Sequence, residues 1–325
     1  MSLLVIDGET VRRLLTYEAC IPLMREAMMA LSAGRTRQLL RQIIDMGDAG
    51  DQFGVMPGAM DDTFGAKLIS VFPRNFDRAM PSHQGFITLF ERESGAPAAI
   101  IQAGEVTAIR TACASAAATD ALARPEAHVL ALLGYGEQAE RHAEAIARIR
   151  PLTEVRVWGR SQDRAAAFCR RMRERLPLAF HLATTSREAV EGADLVCAVS
   201  GAQEPILEGA WVAEGAHVNL VGSSRPGPRE ADDEMVARGR LFADHGEGVR
   251  RQGAEWLHAL ANGCVTEDHL LGEIGDVMAG TLPGRLSPGD ITIYKSLGSI
   301  VQDLASGWFL YREARARGLG VSVAF

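Results

Sequence analysis

The chain has 325 residues, 47% apolar and 23% charged, an ordinary globular composition that excludes a disordered or collagen-like protein. Its length is more than twice the roughly 150 residues of a usual domain, so two domains are expected. With 34 Lys and Arg against 41 Asp and Glu, the net charge is −7, and nothing in that balance marks a partner such as nucleic acid or an anionic membrane.

No apolar run reaches the ~18 residues of a membrane-spanning helix. The opening Met1 to Asp7 lacks a basic segment, and its apolar stretch is too short for a signal peptide. The five cysteines (Cys20, Cys113, Cys169, Cys197 and Cys264) are odd in number and widely spaced, with no C-x-x-C. The expectation is a reduced, cytoplasmic protein with no structural disulfide and no metal site.

In chain order, Ile21, Met24, Met28 and Leu31 recur at helical spacing and stop at Gly34, with Pro22 read as part of the first turn. Residues 67–72 and 85–90 are rich in β-formers, and Ser94-Gly95 reads as a hairpin turn into a strand over 98–102. This portion is expected to be α+β with an antiparallel sheet. An Ala-rich helix follows, about 106–123, before Arg124-Pro125. From 128 the texture alternates: strand 128–133, helix 137–150, strand 154–158, helix 162–175, then buried strands at 194–199 and 217–221. Such alternation predicts a doubly wound parallel sheet, so the fold class is α/β, Rossmann-type, with a second α+β domain.

Gly134-Tyr135-Gly136-Glu137-Gln138-Ala139 reads G-x-G-x-x-A between an apolar strand and a helix. One glycine makes the tight turn, the next admits a pyrophosphate against the backbone, and the small third residue lets helix and strand pack closely. The helix then points its first N–H groups at the phosphates. A dinucleotide site is expected here. At the end of the next strand, Trp158-Gly159-Arg160-Ser161 offers no acid for a ribose 2′-hydroxyl. Gly159, Arg160 and Ser161 therefore favour NADP(H) over NAD(H) in an NAD(P)H site.

Several ordered segments together resemble the ornithine cyclodeaminase/mu-crystallin family. They are Gly54-Val-Met-Pro-Gly58, Ala66-Lys67-Leu68, Pro81-Ser-His-Gln-Gly85, Thr107-Ala-Ile-Arg-Thr111, the glycine turn, Glu204-Pro-Ile-Leu207, Gly215-Ala-His-Val-Asn219, Val221-Gly-Ser-Ser-Arg-Pro226 and Lys295-Ser-Leu-Gly298. The resemblance implies a substrate-binding and dimerisation domain over 1–118, joined by a returning helix at 300–325. It implies a Rossmann domain over 119–299 and a homodimer with a sheet edge of the first domain at its interface.

By the same resemblance, Arg41, Lys67 and Arg110 match anchors for a substrate α-carboxylate and its neighbouring nitrogen. That is chemically sensible, since Arg offers a planar fork and Lys a compact donor whose pKa moves on burial. Ser82, His83 and Gln84 match a segment near the nicotinamide, although a lone His is often a core histidine. Ser200, Gly201, Val221, Gly222, Ser296 and Gly298, with Arg110, complete the cofactor-binding candidates. Cyclodeaminases carry an Asp where this chain has Ser224, and a serine hydroxyl cannot replace that carboxylate as a base. Ser224 is instead expected to be a hydrogen-bonding partner. The segment resembles the ketimine reductase branch, which implies NAD(P)H-dependent reduction of an α-imino acid. The alternatives are a cyclodeaminase-type lyase and a non-catalytic, crystallin-like ligand binder.

Overall fold

A computed structural model describes residues 2–47, 50–78 and 80–324. After strand β1 (Ser2–Ile6), Asp7 and Thr16 cap helices α1 (Gly8–Leu14) and α2 (Tyr17–Ser32). Each capping side chain accepts from the backbone N–H three residues on. Because Thr16 sets the start of α2, Pro22 is its sixth residue and lies beyond the first turn, contrary to expectation. The helix runs through it although proline supplies no N–H to the ladder.

Strands β2 (Arg37–Gln38), β3 (Gln42–Asp45), β4 (Gln52–Ala59), β5 (Thr63–Val71), β6 (His83–Glu91) and β7 (Pro97–Gln102) follow. The turn between β6 and β7 is made by Ser94-Gly95, with Gly95 at φ +68°. Helix α3 (Ala103–Leu122) is next, then a run of alternating elements. These are β8 (Val129–Leu133), α4 (Glu137–Ile146), β9 (Glu154–Trp158), α5 (Gln162–Arg175), β10 (Ala179–Leu182), α6 (Ser186–Val190) and β11 (Leu195–Ala198). Then come β12 (His217–Leu220), α7 (Asp233–Arg238), β13 (Arg240–Ala243), α8 (Gly246–Gln252), α9 (Ala254–Ala261), β14 (Leu270–Glu273), α10 (Ile274–Met278) and β15 (Thr292–Lys295). Helix α11 (Ile300–Arg317) and strand β16 (Val321–Ala324) end the described chain.

The chain forms two units, Met1–Thr111 with Ser299–Phe325, and Ala112–Gly298. The break between them at 111/112 and the 118/119 implied by the resemblance both lie inside α3, an uninterrupted helix. The first unit holds a mixed sheet in the order β16-β1-β7-β6-β5-β4-β2, with β3 also paired to β4. It is antiparallel as expected except for β1 and β7, which run parallel with Leu4 opposite Ala99. Some ninety residues of chain separate those strands, ample for a crossover that no local pattern announces. Alternation along the strands gives the sheet two faces. Lys67, Ile69, Ile87 and Leu89 lie buried on the face that α11 covers. Glycine permits that approach: a Cβ on Gly58 would stand 2.6 Å from Ile300.

The second unit holds eight parallel strands in the order β10-β9-β8-β11-β12-β15-β13-β14. Every residue of β8, β11, β12 and β15 is buried, as strands covered on both faces must be. From β8 the chain winds outward through β9 and β10, then returns to β11 on the other side of β8. That reversal places a ligand crevice at the carboxyl ends of β8 and β11. Helix α4 ends four residues earlier than its periodicity suggests, its last segment becoming a turn.

Candidate active site

In the first unit, β5 delivers Lys67, the first turns of α3 deliver Thr107 and Arg110, and α11 delivers Gln302 and Asp303. Lys67 and Arg110 are buried, and Asp303 is entirely so. Lys67 Nζ donates to Thr107 Oγ1 at 2.6 Å and to Asp303 Oδ1 at 3.2 Å. Thr107 passes its own hydrogen to the Ala103 carbonyl at 2.6 Å. Arg110 donates from Nε to the same Asp303 Oδ1 at 3.0 Å and from Nη1 to Gln302 Oε1 at 2.8 Å.

Two buried cations thus share one carboxylate oxygen, so the cluster carries a net positive charge. Asp303 Oδ2, an acceptor, and Gln302 Nε2, a donor, are buried with no hydrogen-bond partner among the described residues. Burial pulls the Lys67 pKa down to about 8; Asp303 opposes the shift, while the charges of Arg110 and Arg41 add to it. Arg41, between β2 and β3, therefore acts on this cluster through its field. Near neutral pH Lys67 is cationic yet close to releasing its proton.

His83 opens β6 and is solvent-exposed. Its Nδ1 shares a hydrogen bond of 2.9 Å with Ser82 Oγ, and its neighbour Gln84 accepts from Ser70 through its carbonyl at 3.2 Å. Desolvation, then the charges of Lys67 and Arg41, hold the His83 pKa below its ordinary value. The core-histidine role belongs elsewhere. His142 and His217 are fully buried, with pKa values pushed down to about 4 and about 3, chiefly by burial.

In the second unit, Gly134 adopts φ +139°, and a Cβ there would lie 2.8 Å from the Val199 carbonyl oxygen. Gly136 is the N-cap of α4, makes no side-chain cap and has open space where a Cβ would stand. Glu137 and Gln138 open the helix, and Ala139 is buried against the sheet. An uncapped helix start behind a bare glycine is the cradle a pyrophosphate fills, so these residues fit a dinucleotide. The ring of Tyr135 lies over Gly159, where a Cβ would come within 2.2 Å of it. Arg160 is exposed, and Ser161 caps α5 by accepting from Arg164 N–H at 3.4 Å.

Ser200 and Gly201 follow β11, and Val221 and Gly222 follow β12. The carboxylate of Glu230 accepts from both Ser200 and Gly222. Ser224 is half-buried in the same unit, in the loop after β12, and does not belong to the unit that holds Lys67 and Arg110. Gly298 N–H donates to buried Asp244 at 2.6 Å, while Ser296 Oγ is buried with no hydrogen-bond partner among the described residues. No group of three potential metal ligands occurs among the described residues, and no described helix is long and apolar enough to cross a membrane.

Sequence reasoning missed Gln302, Asp303 and Glu230. The signal for the first two was a polar pair inside an otherwise apolar helical face, beside Ile300, Val301, Leu304 and Ala305.

Residues 3–318 match the family model described as the ornithine cyclodeaminase/mu-crystallin family. Ketimine reductase mu-crystallin of Mus musculus is 34% identical over 280 residues, covering 86% of this chain and 85% of the relative. The structure of Thermococcus litoralis Δ1-pyrroline-2-carboxylate reductase with NADH and L-proline superposes with a TM-score of 0.95 at 28% identity, over 99% of this chain and 100% of that one. An archaeal alanine dehydrogenase dimer with bound NAD superposes with a TM-score of 0.94 at 26% identity, covering all of both chains. By its sequence over nearly its whole length, the chain belongs to the ornithine cyclodeaminase/mu-crystallin family.

Proposed function

We propose that this protein reduces an α-imino acid to the α-amino acid with NAD(P)H. It is an NAD(P)-dependent oxidoreductase of the imine reductase and alanine dehydrogenase type. The observation that carries the substrate class is the buried cluster of Lys67 and Arg110 on the single carboxylate of Asp303. A substrate carboxylate supplies the missing negative charge, with Arg41 adding attraction and Arg110 a directional fork. Bound NAD(P)H supplies the hydride. Lys67, protonated at neutral pH and close to its pKa, orients the substrate and delivers a proton to its nitrogen. Ser224 is assigned a hydrogen-bonding role only. A serine at that position also speaks against the lyase reading.

The substrate is a cyclic imine such as pyrroline-2-carboxylate or piperideine-2-carboxylate, or an open-chain imine such as iminosuccinate, for whose second carboxylate Arg35, Arg37, Arg74, Arg78 and Arg225 are the candidate cations. The test is oxidation of NADH and NADPH with these three imines and with α-keto acids plus methylamine. Proline formed from ornithine with no net change in NADH would make the protein a lyase. Tight ligand binding with no oxidation of either cofactor would make it a binding protein.

The choice of dinucleotide turns on Arg160. The two related structures hold NADH and NAD, whereas the missing acid after β9 and the exposed Arg160 favour a 2′-phosphate. Arg160→Ala is expected to lower kcat/KM for NADPH about tenfold and leave NADH unchanged, as one lost charge-assisted contact implies. A wild type that prefers NADH would make Arg160 a surface cation. Gly159→Asp is a poorer probe, since its side chain would run into Tyr135.

A homodimer is part of the same reading. The sheet face opposite α11 aligns Ile44 with Phe53, and Val55 with Leu68 and Phe86 across neighbouring strands. Ile44 and Phe86 are 59% and 42% exposed, and Phe64 stacks on Phe90 beside them. Exposed apolar side chains gathered on one face call for a partner, and a second copy seated there, rather than at the sheet edge that the resemblance implies, matches the dimeric relative. Sedimentation at micromolar concentration should give a dimer, and Phe86→Asp should give a monomer. A monomeric wild type would remove the dimer from this reading.

A further inference from the structure

Glu230 is fully buried, yet it belongs neither to the carboxylate-anchoring cluster nor to the glycine fingerprint. Its Oε1 accepts from Ser200 N–H at 2.6 Å and from Ser200 Oγ at 2.7 Å. Its Oε2 accepts from Gly222 N–H at 2.7 Å. One carboxylate therefore ties together the loops that follow β11 and β12. The tie is backed from behind. Glu230 N–H donates to Glu255 Oε1 at 3.1 Å, and Glu255 pairs with Lys295 Nζ at 2.7 Å. Lys295 Nζ also donates to the Ser223 carbonyl at 2.6 Å.

The glycines record how tightly these loops close. A Cβ on Gly222 would stand 2.1 Å from the Ser200 carbonyl oxygen and 2.5 Å from Glu230 Oε1. On the other side, Val199, the neighbour of Ser200, packs its carbonyl against Gly134 of the fingerprint. A line of direct contacts thus runs from Glu230 through Ser200 and Val199 to the phosphate-binding turn.

We propose that Glu230 is a positioning residue for the dinucleotide, holding the β11 and β12 loops at the crevice in the form that accepts the cofactor. The proposal rests on the NAD(P)H reading above. It follows from donor chemistry: three donors from two loops converge on one group, and only an ionised carboxylate accepts all of them without conflict. A proton on either oxygen turns part of that acceptor into a donor facing donors. The charged and titratable groups facing Glu230 are Glu255 from α9, Lys295 from the end of β15 and the Cys197 thiol from β11. Burial raises the Glu230 pKa to about 7, against its hydrogen bonds from Ser200 and the charge of Lys295, with Glu255 adding repulsion. Cys197 stays neutral, its pKa pushed up to about 12 by burial. Dinucleotide affinity should therefore fall as pH drops through the neutral range.

The experiment is titration of NADH and NADPH by fluorescence on the full chain, from about pH 5.5 to 8.5, a range that spans this ionisation. Wild type should bind more weakly as pH falls through about 7. Glu230→Gln keeps the shape but turns one acceptor into a donor. At the alkaline end it should bind about tenfold more weakly, and it should lose the pH dependence. In turnover its KM for the dinucleotide should rise while its KM for the imine stays put. Ser200→Ala, which is the second probe if Glu230→Gln does not fold, removes a bond that favours the ionised form, so its acid limb should move to higher pH. A wild type with no acid limb, a Glu230→Gln variant with wild-type affinity and pH profile, or an unmoved limb in Ser200→Ala would overturn the proposal. A wild type that binds neither dinucleotide at any pH would overturn the cofactor reading itself, and this proposal with it.

Discussion

Arg110→Lys is expected to lower kcat/KM for the imino acid by about 30- to 1,000-fold while leaving the dissociation constant of the dinucleotide nearly unchanged. Arg110 uses Nε for Asp303 and Nη1 for Gln302, and its Nη2 has no hydrogen bond to another described residue. The planar guanidinium can thus hold its two protein partners and still present an edge to an incoming carboxylate. A lysine ammonium is one point with no fork, so it cannot satisfy Asp303, Gln302 and a ligand in one plane. Losing that directional contact costs about 2–4 kcal/mol of transition-state stabilisation, and each 1.4 kcal/mol is about tenfold. The glycine fingerprint to which the proposed reading assigns the dinucleotide belongs to the other unit and should not register the change. Steady-state kinetics with a fluorescence titration of the cofactor separates the two effects. Unchanged kcat/KM would take Arg110 out of the site.

What the sequence revealed of this protein divides along contact distance. The fingerprint was legible because its parts are neighbours in the chain: an apolar strand, two glycines at fixed spacing, a small residue and a helix. The parallel sheet of the second unit was legible for a similar reason, since strands buried on both faces read as apolar runs. Lys67 and Arg110 were found through family resemblance, as each alone is indistinguishable from a surface cation. Asp303 was not found. It is 236 residues from Lys67 and 193 from Arg110, so only folding of α11 onto the first sheet reveals that one carboxylate serves both cations. Glu230 escaped for a related reason, because its partners Ser200 and Gly222 lie on separate loops. The parallel pairing of β1 with β7 was hidden too, since side-chain alternation is the same whichever way a neighbour runs.

Asp303→Asn is expected to lower the melting temperature by several degrees and to move the alkaline limb of kcat/KM to lower pH. Asp303 Oδ1 is the shared acceptor for Lys67 and Arg110, and all three side chains are almost wholly buried. Removing one member of such a cluster leaves buried charge uncompensated, which costs about 3–5 kcal/mol unless the remaining group changes its ionisation. Lys67 has that outlet. Its pKa is already pulled down to about 8 by burial, with Asp303 the opposing influence that holds it up. Without the carboxylate the pKa must fall further, and shedding the proton relieves part of the cost. The sign for activity follows. If Lys67 acts protonated, kcat/KM declines as pH rises past its pKa, near 8 in the wild type. In the variant the same decline should begin at lower pH, so activity at neutral pH drops while a more acidic assay recovers part of it. Arg110 cannot follow this route, because a guanidinium does not lose its proton in this range, and so the loss of stability remains. Thermal melts and pH–rate profiles on the same preparations test both halves. A limb that stays in place in Asp303→Asn would show that the titrating group is not Lys67, and proton delivery would have to be assigned to another residue.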